Sequence, residues 1–127
     1  MNRSQVFFDH IEVHVEDIPG YCEFLVKMFQ GGRYKVISDT GTSMFASNDG
    51  IHIEIKKKKT GQHPISSGFC NPCLRMEKAK EHIEGTLNLK IDQTLQNPDG
   101  SCYFFSDHEG ITWHIKEYLV ADKFINW

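Results

Sequence analysis

Residues 50–56, GIHIEIK, and residues 110–116, GITWHIK, write the same strand twice. Each copy opens on glycine, alternates apolar with polar residues and closes on lysine. Period two is the mark of a strand with one dry face and one polar face. The dry set is Ile51, Ile53 and Ile55 in one copy and Ile111, Trp113 and Ile115 in the other. Extended backwards, FASNDGIHIEIK (45–56) lies beside FSDHEGITWHIK (105–116), pairing Phe45 with Phe105, Gly50 with Gly110, Glu54 with His114 and Lys56 with Lys116. An internal repeat makes the supersecondary unit the first thing to identify.

Working outward, residues 7–15 (FFDHIEVHV) alternate in the same way: Ile11, Val13 and Val15 face one side, His10, Glu12 and His14 the other. Asp17 is a candidate N-cap with Pro19 in the first turn, and Tyr21, Cys22, Leu25, Met28 and Phe29 recur at helical spacing until Gly31-Gly32. Three short strands follow, at 33–38, 43–47 and 51–57, parted by turn signals at 39–41 and 48–50. Residues 7–57 therefore read as β-α-β-β-β. The order returns in residues 70–118: a strand at 70–76, a helix at 77–84, and strands near 87–95, 102–106 and 111–118, with Asn97-Pro98-Asp99-Gly100 as a hairpin turn. Residues 58–69, with Gly61, Pro64 and Gly68, read as a linker. The tail 119–127 ends in Phe124, Ile125 and Trp127, which predicts that it packs on the domain or on a partner chain.

The expected fold class is α+β, a single domain of two βαβββ modules. In each, the apolar strand face backs the module's own helix. Two such sheets curving towards each other form an open, cleft-containing barrel, and the polar faces line the cleft. That cleft is where His52, Glu54 and Lys56 meet Thr112, His114 and Lys116 in this reading, and His with carboxylate is the chemistry of a metal or acid–base site.

Composition removes other classes. A chain of 127 residues with a net charge of −3 has no basic footprint for nucleic acid. The run Lys56 to Lys59 reads as a solvated strand end or loop. No apolar run reaches the ~18 residues of a membrane span, and the first residues lack the apolar stretch of a signal peptide, so a cytoplasmic protein with reduced cysteines is expected. Cys70-Asn71-Pro72-Cys73 has CxxC spacing, yet no second Cys or His pair accompanies it, and it opens a strand rather than a helix. His14 and His52 read as cleft wall; His63, His82 and His108 read as surface. Phe104, Phe105 and Trp113 are expected in the core, and Cys22 is expected to serve packing alone.

The stretches DHIEVHVEDIPGYCEFLVKMF (9–29), DGIHIEIK (49–56) and HEGITWHIKEY (108–118) resemble the vicinal oxygen chelate superfamily of glyoxalase I, extradiol dioxygenases, fosfomycin-resistance enzymes and bleomycin-binding proteins. The resemblance covers residues 7–118. It implies a divalent metal held by His10, Glu54 and His114, with Asn71 in the fourth corner where the family usually has histidine. Two imidazoles and a carboxylate suit iron(II), manganese(II) or zinc, and nickel(II) is a further candidate. Glu54 would also be the catalytic residue. Glu12, His14, His52, Arg75, Thr112 and Lys116 would bind substrate, Arg75 and Lys116 taking an anionic group. The implied function is a metal-dependent lyase, isomerase or dioxygenase acting on a small oxygenated metabolite, or a transferase acting on an antibiotic. The alternative is a metal-free small-molecule or antibiotic-binding protein of the bleomycin-resistance type, which Asn71 favours. A homodimer is implied as well, with residues 58–69 as a hinge for module exchange.

Overall fold

Alternation over residues 11–15 produces β1 (Ile11–Val15), with Val13 and Val15 buried. The computed structural model describes residues 9–59, 72–98 and 100–118. After β1 the Asp17 carboxylate accepts the Gly20 N–H at 3.1 Å and starts α1 (Ile18–Phe29), with Pro19 in the first turn. Ile18, Tyr21, Cys22, Leu25 and Met28 form its buried stripe. Gln30 ends it in the left-handed conformation, φ 57°, and the Gly31 N–H closes back on the Val26 carbonyl at 2.9 Å. Gly32 must be glycine: its φ is +96°, and a Cβ there would lie 2.7 Å from the Ala46 carbonyl oxygen and 2.8 Å from the Phe45 ring.

Three strands complete the first unit, β2 (Arg33–Val36), β3 (Ser43–Ala46) and β4 (His52–Lys57), in a sheet ordered β1-β4-β3-β2. Only β1 and β4 are parallel. Helix α1 packs on β3 and β4, where Phe45, Ile53 and Ile55 are buried. The second unit repeats the plan with β5 (Cys73–Arg75), α2 (Ala79–Glu81), which widens into a π-helical turn over His82–Thr86, then β6 (Gln93–Asn97), β7 (Gly100–Ser106) and β8 (Thr112–Tyr118). Its sheet is ordered β5-β8-β7-β6, again with one parallel pair, β5 and β8. The chain divides into the two compact units Met1–Ser67 and Gly68–Trp127. Both are βαβββ, as the repeat predicts, and neither sheet closes on itself. No helix among the described residues is long and apolar enough to cross a membrane.

Four expectations need correction. The strand expected near 87–95 begins only at Gln93, because the amides of Leu87 and Leu89 bond back to His82 and Ile83 at 2.9 Å and Asn88 turns left-handed at φ 56°. His82 is buried, 4% exposed, because it sits where the π-turn packs beside Ile83. Ile51 precedes β4 and is 40% exposed, unlike its counterpart Ile111, which is fully buried. Phe104 is half-buried and shares the polar face with His114, since β7 offers Tyr103 and Phe105 to the core instead. His63, Cys70, Asn71, the linker from residue 60 onward and the tail 119–127 lie outside the described residues.

The duplicated strands begin from the same turn. In one copy Ser47 N–H bonds the Ile51 carbonyl at 2.8 Å and Gly50 N–H the Ser47 carbonyl at 3.1 Å; in the other, Asp107 and Ile111 pair at 2.9 Å and Gly110 and Asp107 at 3.0 Å. Gly50 and Gly110 take φ of 90° and 87°, which explains why both copies open on glycine. The side chain that ties each turn differs. The Ser47 hydroxyl accepts the Ile51 N–H at 2.9 Å. Asp107, only 5% exposed, accepts the N–H groups of Glu109 and Ile111 at 2.9 and 3.0 Å and the Trp113 indole N–H at 3.0 Å. Hydrogen bonds to a charged acceptor contribute more than neutral ones, and donors left buried without partners are costly. Urea unfolding of Asp107→Ala should show a loss of about 3 kcal/mol, against about 1 kcal/mol for Ser47→Ala.

Candidate functional site

Parallel pairing of β1 with β4 sets Glu12 opposite Glu54 and His14 opposite Lys56. Paired residues on adjacent strands share a face, so these four side chains stand together on the side away from Ile53 and Ile55. His10, immediately before β1, and His52, the first residue of β4, extend the same face. Two carboxylates side by side repel unless a cation joins them. Here Lys56 does so: its ammonium lies 3.2 Å from Glu12 Oε1 and 3.5 Å from Glu54 Oε1.

Glu12 is the most firmly held of the group. The His14 Nε2–H donates to its Oε2 at 2.6 Å, and that bond, with Lys56 and a smaller hydrogen-bond contribution from Glu54, holds the carboxyl at about 2 against an ordinary 4.5, although burial pushes the other way. Lys56 is correspondingly held above its usual value, chiefly by its hydrogen bond to Glu12. Glu54 makes longer contacts, 3.5 Å to Lys56 and 3.8 Å to His10 Nε2. His10 turns its other nitrogen, Nδ1, to the Asp9 carboxylate at 2.6 Å, leaving Nε2 directed at Glu54. A carboxylate behind the far nitrogen of an imidazole is the usual way to orient a metal-binding histidine. His10, Glu12 and Glu54 each offer a ligand atom within 4.8 Å of the others.

Of the residues assigned from sequence, the structure gathers His10 and Glu54 with Glu12 and His14, and puts His52, exposed, at the edge of the group. Arg75, Thr112, His114 and Lys116 belong to the second unit and share the polar face of its sheet. There the His114 ring stacks on Phe104, centroids 4.7 Å apart and planes within 10°. Thr112 approaches the Ser106 hydroxyl at 3.4 Å, and Arg75 is in register with Lys116. Sequence reasoning places Glu12 among the substrate-binding residues, and the parallel register stands it beside Glu54. It also left unassigned Cys73, which is in register with His114 just as Glu12 is with Glu54. The repeat carried that signal: once Glu54 is aligned with His114, equal pairing makes Glu12 the counterpart of Cys73.

No family model matches the chain, and no curated protein matches it. Solved structures do. A glyoxylase/bleomycin resistance protein/dioxygenase domain from Frankia sp. EAN1pec is 16% identical, with a TM-score of 0.67 over 91% of this chain and 99% of that one. The fosfomycin resistance protein FosX from Listeria monocytogenes, crystallised with manganese(II) and sulfate, is 15% identical, with a TM-score of 0.68 over 92% and 94%. An integron cassette protein from the mobile metagenome of V. cholerae is 17% identical, with a TM-score of 0.62 over 93% and 99%. The chain thus has the glyoxalase-like fold that the resemblance in sequence implied.

The acidic cluster makes stability depend on pH. Because the Glu12 carboxyl is lower in the folded chain than its ordinary 4.5, its contribution is present above about pH 4.5 and is lost as pH falls towards 2. Glu12→Gln should be less stable than wild type at pH 7 by on the order of 1–2 kcal/mol, allowing for solvent screening. The gap should close between pH 4.5 and pH 2, read from denaturant midpoints of the two proteins at each pH.

Proposed function

We propose that this chain is a metal-dependent lyase, isomerase or dioxygenase of the glyoxalase type, acting on a small metabolite that presents two neighbouring oxygens. The observation that carries this reading is the convergence of His10, Glu12 and Glu54 on one point of the first sheet, their ligand atoms within 4.8 Å of one another. The donor set fits the group: one imidazole already oriented by Asp9, and two carboxylate oxygens suited to manganese(II) or iron(II), with nickel(II) and zinc as other candidates. The manganese(II) bound in the FosX crystals supports the same choice. When bound, such a metal would act as a Lewis acid towards the substrate oxygens.

The chain's own residues divide the remaining work. Glu12, pinned by His14 and Lys56, stays an anion and supplies charge. Glu54, whose contacts to Lys56 and His10 are longer at 3.5 and 3.8 Å, is the less firmly held carboxylate and would take a proton from a bound substrate and return it. Lys56 then has two duties. It screens the carboxylates while no other cation is present, and its ammonium can follow an oxyanion once its place between them is taken.

A second reading has an observation of its own. Because Lys56 already bridges both carboxylates, half of their charge is offset without a metal, as a metal-free binding protein would need. Manganese(II) titration separates the two. Under the first reading the wild type binds close to one ion per chain. Saturation at one hundred times the dissociation constant raises stability by about 2.7 kcal/mol, and Glu54→Ala abolishes the gain. Lys56→Met should tighten manganese(II) binding about fivefold by removing a competing cation. If manganese(II), iron(II), nickel(II) and zinc all leave the melting temperature unchanged, the metal-free reading stands. His114, the ligand the sequence expects from the second unit, is tested in the same way: a His114→Ala variant that binds like wild type confines the ligands to the first unit.

A further inference from the structure

We propose that the polar face of the first sheet carries a second binding element, an oxyanion subsite of Arg33, Lys35 and His52, which holds the phosphate or carboxylate end of the ligand. The inference rests on the preceding reading, in which the ligand's neighbouring oxygens are held near His10, Glu12 and Glu54, and it names the class of ligand: a phosphorylated or carboxylated metabolite.

The argument begins with alternation in residues 33–36. Arg33 and Lys35 point to one face of β2, Tyr34 and Val36 to the other, where the Tyr34 hydroxyl donates to Glu23 of α1. Register then puts the two cations on the face of the acidic cluster: Arg33 is opposite Ala46, which is opposite His52, and Lys35 is opposite Met44, which is opposite Glu54. Between them the surface is hollow. Arg33, Tyr34, Lys35, Met44, Ala46 and His52 line a depression of about 440 Å³, and a second of about 390 Å³ continues it past Arg33, Ala46 and His52 towards Ser47 and Gly50. Ala46, the small residue in register between Arg33 and His52, lines both.

Charge on this face is distributed unevenly. Lys56 is committed to the two glutamates, at 3.2 and 3.5 Å. The side chains of Arg33, Lys35 and His52 make no hydrogen bond or ion pair among the described residues. Met44 stands between Lys35 and Glu54. The face therefore has an acidic end that can hold a cation and a basic end with donors still to be used. A guanidinium fork and an ammonium beside a hollow suit a carboxylate or phosphate, which Arg binds through two parallel hydrogen bonds. The strand order leaves two spacings between β4 and β2, about 10 Å from backbone to backbone, and the long Arg and Lys side chains shorten that gap. A small metabolite can span it. Its residues differ from Arg75 and Lys116, the anion-binding pair expected from sequence, which belong to the second unit.

The test is a titration of the full chain followed by amide NMR shifts, which report both the binding position and the integrity of the fold. The probes are inorganic phosphate, glycolate, phosphoglycolate and malonate, each with and without manganese(II). The expected result is that phosphate and phosphoglycolate shift the amides of β2, β3 and the start of β4 without metal, more weakly as ionic strength rises. Arg33→Ala with Lys35→Ala should weaken both by about tenfold or more and leave manganese(II) affinity unaltered, whereas Lys80→Ala, on α2 of the second unit, should bind as wild type does. Phosphoglycolate binding more tightly than glycolate only while Arg33 and Lys35 are present assigns the subsite to phosphate; equal strengthening by a dicarboxylate such as malonate assigns it to any oxyanion. The proposal is overturned if the double variant binds phosphate and phosphoglycolate like wild type, or if only Arg75→Ala weakens them. Loss of manganese(II) binding with the phosphate response intact would remove the metal reading and leave the subsite standing. The reverse result would remove the subsite alone.

Discussion

Parallel pairing of β1 with β4 sets Glu12 beside Glu54, and two carboxylates on neighbouring strands destabilise that pairing unless a positive partner joins them. The other polar positions nearby answer that demand. Lys56 reaches back along β4 to both acids, His14 donates to Glu12 from the same strand, and Asp9 steadies the imidazole that approaches Glu54. Parallel neighbours require a crossover, which is why α1 lies between these two strands in the chain order and has to be buried on the opposite face. Burial of Tyr21, Leu25 and Met28 thus holds the register in which the acids meet. Core and chemistry meet in that single pairing.

The second unit keeps the frame and changes its furnishing. Its glycine turn, its parallel pair and its alternating last strand reproduce those of the first unit. Where the first has Glu12 and Glu54, however, the second has Cys73 and His114, and an aromatic ring, Phe104, fills the space beside the imidazole. The tie in the turn has moved from the Ser47 hydroxyl to the buried Asp107 carboxylate, which also captures the indole of Trp113. Trp113 is therefore a core residue that needs a polar partner, and Asp107 is a buried charge that needs several donors. Each accounts for the other.

Much of this was legible in the sequence, and the reasons differ by residue. The alternation around Glu54 and His114 exposed the repeat, and Asp17, Pro19 and the glycine pair marked α1, because caps, turns and periodicity are local physics. The boundary at Gln93 was not legible: residues 87–92 look extended by composition, yet the amides of Leu87 and Leu89 are used by the helical turn and Asn88 is left-handed. Ile51 and Ile111 match in sequence and part in burial, since neighbours decide exposure. In the site, face and phase could be read, so His10 and Glu54 were singled out. That Glu12 stands beside Glu54 was not legible, because a parallel register is a long-range fact. Arg33 and Lys35 were passed over although their alternation was in view: β2 is exposed on both faces, and so its pattern carries no hydrophobic signal.

The strand bearing those two cations is also the outermost of its sheet, hydrogen-bonded on one side only among the described residues. On its other face it shows Val36, 65% exposed, with Ile37 close by at 43%. An unpaired apolar edge invites another chain to add a strand, and charged side chains are a common deterrent. Arg33 and Lys35 are charges of the kind that discourage such pairing, whatever they bind. A descendant that lost all use for a ligand would still be under pressure to retain both charges in order to remain dispersed.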